Sequence, residues 1–471
     1  MIESAKTLLF LACAVAVGAL VWVARPADPG RGVVDDAGEL FFADFTDPLT
    51  AASLEIIGFN ETLATVHVFK VARHNGVWSI PSHENYPADA ENQFGNAAAS
   101  MIGLVKGAGR SDQRTDHALY KVVDPTEADA GSTGVGTRVT LAGEDGRVIT
   151  DLIIGTAVKD SNELRYVRVP GVDRVYMCEI DIRKFSTRFE DWIEKDLLQL
   201  TPADITGVVV KDYSIDEFSR QVIQGGVVTL TYDGQAFSWG LEGLGEDESL
   251  VQSKLIDLRR GLDELKIIDV HRKPAGLSSE LRAEDALQLD TEAVRSLQSR
   301  GFFISGGRLL SNQGETVVQT VEGVQYVLRF GEIAAVRGGG DDDDDSAGVP
   351  GRYLFVTVEF NAQAIPGPEL MELPDLDSFG LEDESESETD DPAATQPSMS
   401  EAIEKAREMI TRDNQRKQQE YDQKLEDGRA RVSELTDRFA DWYYVISDSV
   451  YNNVRLTRAD IVEQTPAAQG E

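Results

Sequence analysis

Apolar residues along this chain change period in a recurring succession. From Ala64 to Ile80, "ATVHVFKVARHNGVWSI" alternates on both sides of His74-Asn75-Gly76, which predicts a hairpin with Trp78 on its second strand. From Gly226 to Leu241, "GVVTLTYDGQAFSWGL" does the same around Asp233-Gly234 and carries Trp239. Each hairpin is followed by a stretch of helical period. "DAENQFGNAAASMIGLVKG" follows the first and "DESLVQSKLIDLRRGLDEL" the second, where Leu250, Leu255, Leu258 and Leu262 fall on one face. Alternating runs then return. They are "RVTLAG", "RVITDLIIG", "ELRYVRV" and "RVYMCEI" after the first helix, and "VVQTVEGVQYVLRFG" and "GRYLFVTVEF" after the second. The pattern predicts an α+β protein of two duplicated units, each an antiparallel or mixed sheet with helices.

Two phrases punctuate this succession. Arg-Phe-x-Asp-Trp occurs at Arg188–Trp192 and again at Arg438–Trp442. Leu-Thr-x-Ala-Asp-Ile occurs at Leu200–Ile205 and Leu456–Ile461, with a looser copy at Leu49–Leu54. In the middle copy Thr201 suits an N-cap, Pro202 the first helical position and Asp204 the returning arm of a capping box, so a single helical turn is expected to feed the strand "ITGVVVKDY". The units are accordingly set at 45–203 and 204–461, preceded by a linker 25–44 and followed by a disordered tail 462–471; the third copy of the phrase begins a unit that is not built.

The second unit is longer because of its inserts. "GGGDDDDDSAG" at 338–348 and the acidic, proline-rich 366–399 cannot bury a core. After them 400–440 predicts one long helix with Ser400 as N-cap, in which Tyr421, Leu425, Val432, Leu435 and Phe439 fit a heptad that Asn414 and Gln418 break. Ile403, Met409 and Ile410 lie roughly 45 Å from the Phe439 end, beyond the reach of one small domain, and are expected to meet another surface.

At the N-terminus Thr7 to Ala24 is free of charge and just long enough to span hydrocarbon, so 1–24 reads as a transmembrane anchor. A signal peptide cleaved at Val17-Gly18-Ala19 is the rival; the apolar run through Leu20-Val21-Trp22-Val23 favours the uncleaved anchor. The expected placement is the cytoplasmic membrane, single-pass, with the bulk of the chain extracytoplasmic. Composition narrows the partners. A formal charge of −37, without a strongly basic stretch, argues against nucleic acid and leaves the membrane, through the anchor, and envelope proteins as partners. Cys13 and Cys178 are too few for a disulfide framework.

The succession of Trp hairpin, "IPSHENYPADAENQF", helix, "YKVVDPTEADAG", strands around "RVITDLIIG", "RYVRVPGVDRVYMC" and "FEDWIEKDLLQL" resembles the bacterial envelope family catalogued as domain of unknown function 4340, over most of 45–461. The resemblance implies a single-pass membrane protein associated with ABC-type export or gliding-type machinery. It carries no catalytic residues over.

Chemistry read from the residues themselves is sparse. His67, His74, His83, His117 and His271 lack the paired spacing of metal ligands. "GSTGVG" at 131–136 resembles a phosphate loop but lacks the Lys-Ser/Thr and the helix that would follow. Asp341–Asp345 lacks the spaced ligands of a calcium loop. Cys178 has no neighbouring His in sequence. Trp78, Trp192, Trp239 and Trp442 read as core, and Asp191 and Asp441 as caps. No catalytic, cofactor or metal residue is therefore assigned. The expected function is a non-catalytic, membrane-anchored scaffold or accessory subunit of an envelope complex. The alternative is a cell-envelope hydrolase or a glycan- or peptide-binding protein with its site between the units.

Overall fold

The computed structural model describes residues 36–161, 163–216, 219, 221–282, 290–335, 350–374 and 399–464. The predicted anchor at 1–24, most of the linker, the Asp341–Asp345 run and the greater part of both inserts lie outside the described residues. Among the described residues no helix is long and apolar enough to cross a membrane.

The fold is α+β, with two large antiparallel sheets and one long helix. Two compact units form. One combines the chain up to Gly76 with Glu91–Ser186, and the other combines Val77–Ala90 with the chain from Thr187 onward. The expected boundary at 203/204 thus runs through the second unit, and the reason is aromatic. Tyr86 meets Phe189 edge-on at 5.5 Å and Trp442 edge-on at 5.0 Å, which ties 77–90 and 187–192 to the later chain.

In the first unit seven described strands pair antiparallel in the order Thr65–His74, Ser53–Asn60, Thr137–Ala142, Val148–Ala157, Leu164–Arg168, Val175–Glu179, Gly109–Ser111. Their alternation buries Leu54, Ile56, Val71, Val139, Leu141, Leu152 and Ile154, and the helix Glu91–Met101 contributes Phe94, Ala97, Ala98 and Met101. The turn predicted at Asn75-Gly76 has φ of 50° and 80°, the doubly left-handed backbone of a type I′ turn.

In the second unit the sheet runs Ser238–Leu241, Val222–Asp233, Ile205–Ile215, Glu315–Thr320, Val324–Ala335, Pro350–Phe360, Trp442–Ser447, Asp269–Arg272, again wholly antiparallel. The mixed pairing that was left open does not occur in either large sheet among the described residues. The hairpin carrying Trp239 forms, but not on a two-residue Asp-Gly turn. The Asp233 carboxylate accepts the amides of Gln235 and Ala236 and closes a longer loop, with Phe237 at φ 51°. Helix Gln252–Asp263 buries Leu255, Leu258 and Leu262, whereas Leu250 belongs to a short strand, Glu248–Leu250. That strand pairs with Val462–Gln464, so the chain after the third phrase adds a strand to this unit.

The phrases separate by mechanism. Thr201 with Asp204 and Thr457 with Asp460 both form the full capping box, the two Asp carboxylates accepting the Thr amides at 2.6 and 2.8 Å. At the looser copy the cap is instead Asp47, ahead of Pro48–Thr50. Arg-Phe-x-Asp-Trp is not one structure. Phe189–Trp192 is a 3₁₀ turn that follows another, Ile182–Lys184, while Phe439 ends the long helix and Trp442 opens a strand. Neither Asp191, inside its turn, nor Asp441, beyond a helix C-terminus, is an N-cap as expected.

Candidate functional site

The sequence-level candidates disperse. His67 and His74 are exposed on a strand, and His117 is buried with a ring nitrogen 2.8 Å from the Asp173 carbonyl. Among the described residues no group of three or more His, Cys, Asp or Glu is placed to hold a metal. In the 131–136 loop the amides of Gly134 and Val135 already donate to the Glu61 carboxylate, at 2.7 and 3.3 Å. A carboxylate of this chain occupies the position that a phosphate would take. Cys178 lies in the wall of a cleft of about 820 Å³ in the first unit, but burial pushes its thiol up to about 12 and Sγ lies 3.4 Å from the Val105 carbonyl. A thiol held that high is protonated and a poor nucleophile. In the same wall Arg165 donates to the Gly155 carbonyl and Arg183 to Asp181. Of the four tryptophans read as core, Trp192, Trp239 and Trp442 are buried and Trp78 half-buried.

Two histidines come within electrostatic reach of each other, His83 and His271. The strand Asp269–Arg272 pairs with Trp442–Ser447 so that His271 faces Tyr443 and Arg272 faces Trp442. Their rings and cations build a ladder within the second unit. His271 lies 5.2 Å from Tyr443 and 5.9 Å from Tyr353, and the Arg300 guanidinium 5.4 and 5.6 Å from Tyr353 and Tyr443. Arg272 covers Trp442 at 5.2 Å. Beside it His83 stacks on Phe189 at 4.6 Å. His83 stands on a turn in which Glu84 and Asn85 both have left-handed backbone, φ 57° and 62°, at about 1–2 kcal/mol each. The turn's burial of His83 and Tyr86 against Phe189 and Trp442 offsets that strain. Burial holds both imidazoles below the usual histidine range; the charge of Asp269 opposes the shift at each, and that of His271 adds to it at His83.

Lys273 directly follows the same strand with only 8% of its surface exposed. Among the described residues its Nζ has no hydrogen-bond partner, and it lies 5.8 Å from the Phe355 ring. Burial brings the amine down to about 8; Asp441 opposes this and Arg329 adds to it.

The long helix Met399–Phe439 is the other unusual element. It starts at Met399, so Ser400 is helical rather than a cap. Its last turns pack on the sheet through Leu435 and Phe439, with Phe439 edge-on to Tyr444 at 6.0 Å. The closest approach is at Gly428, where a Cβ would stand 2.5 Å from the Glu322 carbonyl and 2.7 Å from the Phe360 ring. Arg429 covers Phe360 at 5.2 Å. N-terminal to Gly428 the helix runs about 45 Å further. Asn414, which breaks the heptad, clamps an extended strap there: it accepts from the Met371 amide at 2.9 Å and donates to the Met371 carbonyl at 2.8 Å. Lys417 donates to the Glu369 carbonyl at 3.1 Å. The insert expected from 366 to 399 to be free of packing is therefore bound along the helix as far as it is described, to Pro374. Ile403 is buried and Ile410 half-buried, whereas Met409 is 67% exposed.

Residues 78–280 match the family model described as a domain of unknown function, DUF4340. The match is narrower than 45–461. No curated protein and no solved structure matches the chain.

Proposed function

Taking residues 78–280 as a DUF4340 domain, we propose a non-catalytic, membrane-anchored extracytoplasmic scaffold or accessory subunit of an envelope complex, anchored by 1–24 and docking proteins through its long helix. One observation carries this reading. The helix leaves its own sheet at Gly428 and presents an exposed face over about 45 Å more, far longer than the packing of its own unit requires. Exposed Met409, with Leu370, Met371 and Leu373 of the strap at 45–52% exposure, supplies adaptable apolar contacts.

The same reading includes a duplication. If only the large-sheet strands of each unit are counted, from Ser53 and from Ile205, the shared order is second, first, fourth, fifth, sixth, seventh, third, leaving aside the strand Ser238–Leu241. A helix stands between the second and third strands both times. Two copies of one unit explain a common order that arbitrary topologies would not share.

A photo-cross-linking side chain placed at Met409 in native membranes tests the docking role. It should yield protein adducts that the same probe at exposed Val148 does not. Identical patterns from the two positions, or none from 409, would end the scaffold reading.

A further inference from the structure

The outward face of the long helix is a single stripe. Lys405, Met409, Arg412 and Arg416 are spaced by four, three and four residues, and Gln423, Asp427, Ala430 and Glu434 repeat that spacing 18 residues later. Eighteen residues are about five turns, so both sets lie on one line, and all eight are exposed. The first half of the stripe is cationic. The second half is anionic.

Among the described residues Lys405 and Arg412 have no ion pair, although the chain as a whole carries −37. Arg416 is paired with Asp413 at 2.6 Å and Glu420 at 2.8 Å, and Glu434 with Arg431 at 2.7 Å. Because the spacing four, three, four reads the same in reverse, a second helix laid antiparallel matches the stripe level by level. Lys405 then faces Glu434 of the other copy, Met409 faces Ala430, Arg412 faces Asp427 and Arg416 faces Gln423. On the flank Asp413 comes near Lys424 of the other copy. A like-charge meeting, Glu420 with Glu420 of the other copy beside the axis, falls where Glu420 is already held by Arg416 at 2.8 Å.

We propose that this helix pairs antiparallel with the same helix of a second copy, about a two-fold axis between Gln419 and Glu420. An anionic lipid surface would attract Lys405, Arg412 and Arg416 but repel Asp427 and Glu434 on the same face. An occupant must present anions and cations at mirrored spacing, and this chain is itself such an occupant. The inference deepens the docking role of the helix and rests on that reading.

The test uses the full chain with Cys13→Ser, in membranes and in detergent. Met409→Cys with Ala430→Cys should give a disulfide-linked dimer on mild oxidation, since the two positions face each other across the axis. Met409→Cys alone should not, because its two copies would be about 31 Å apart. Separately, Arg412→Asp or Asp427→Arg should each weaken dimerisation by about tenfold or more through like charges at both symmetric contacts, and the two together should restore it. A dimer from Met409→Cys alone, no dimer from the pair, or a double charge swap as weak as the single ones would overturn the proposal. If the Met409→Cys/Ala430→Cys pair instead links only to a different protein, the scaffold reading stands and self-pairing falls. If the pair links to nothing and the cross-linker at 409 captures nothing either, both fall.

Discussion

Lys273 shows how much one buried group can weigh. In the unfolded chain its amine titrates near the ordinary lysine value, whereas in the fold burial brings it down to about 8. Below pH 8 both states carry the charge and the fold bears the full desolvation cost. Between pH 8 and the unfolded value the unfolded chain holds the extra proton, so stability rises with pH across that window. Lys273→Met should therefore stabilise the protein at pH 7, by roughly 3 kcal/mol if the shift is taken at face value, and flatten the rise between pH 8 and 10. Urea titrations of both proteins at several pH values measure this; equal slopes would mean that the amine is solvated. Nothing in the sequence marks Lys273, because its environment is assembled from residues as distant as Phe355 and Asp441.

At the scale of elements, the long helix was legible from its period and its lack of proline, but its seat was not. Gly428 reads in sequence as a helix-weakening residue, and replacing it with Ala in an exposed helix would stabilise by about 1 kcal/mol. Here the sign should reverse. The added carbon meets the backbone of Glu322 and the ring of Phe360, so Gly428→Ala should lower the thermal midpoint by several degrees, measured by circular dichroism of the soluble fragment. A rise would show that the helix does not rest there. The capping boxes were legible for the opposite reason: Thr201 with Asp204 and Thr457 with Asp460 complete their bonds within four residues, so sequence alone specifies them. The Arg-Phe-x-Asp-Trp repeat misled because identical residues serve a 3₁₀ turn once and a helix-to-strand junction the second time.

For the whole molecule, the strap changes what can be removed. Deleting 375–398 should leave the unfolding midpoint of the fragment nearly unchanged, since that stretch is acidic, proline-containing and poor in apolar residues. Extending the deletion back to 366 should lower it, because Glu369 and Met371 lose their bonds to Lys417 and Asn414. Differential scanning calorimetry of the two deletions separates these outcomes, and equal midpoints would show that the strap contributes nothing. The exposed part of Val222–Asp233 is a related whole-molecule feature. Its register against Ile205–Ile215 shifts between Lys211 and Tyr213, opposite Gly225-Gly226, and such a bulge twists an edge away from further pairing.

What the sequence determined by itself was whatever is encoded over short spans: the strands, through alternation; the helices, through their period; the capping boxes and the Asn-Gly turn, through side chains reaching their own backbone; and the α+β class that follows from these. The tertiary structure alone decided that Tyr86 joins 77–90 to the later chain, that Glu61 fills the 131–136 loop, that His83 and His271 share one ladder, and that Asn414 is a clamp rather than a flaw in a heptad. Each of these joins residues far apart in sequence, and only the sheet register and the packing of the long helix fix which of them meet.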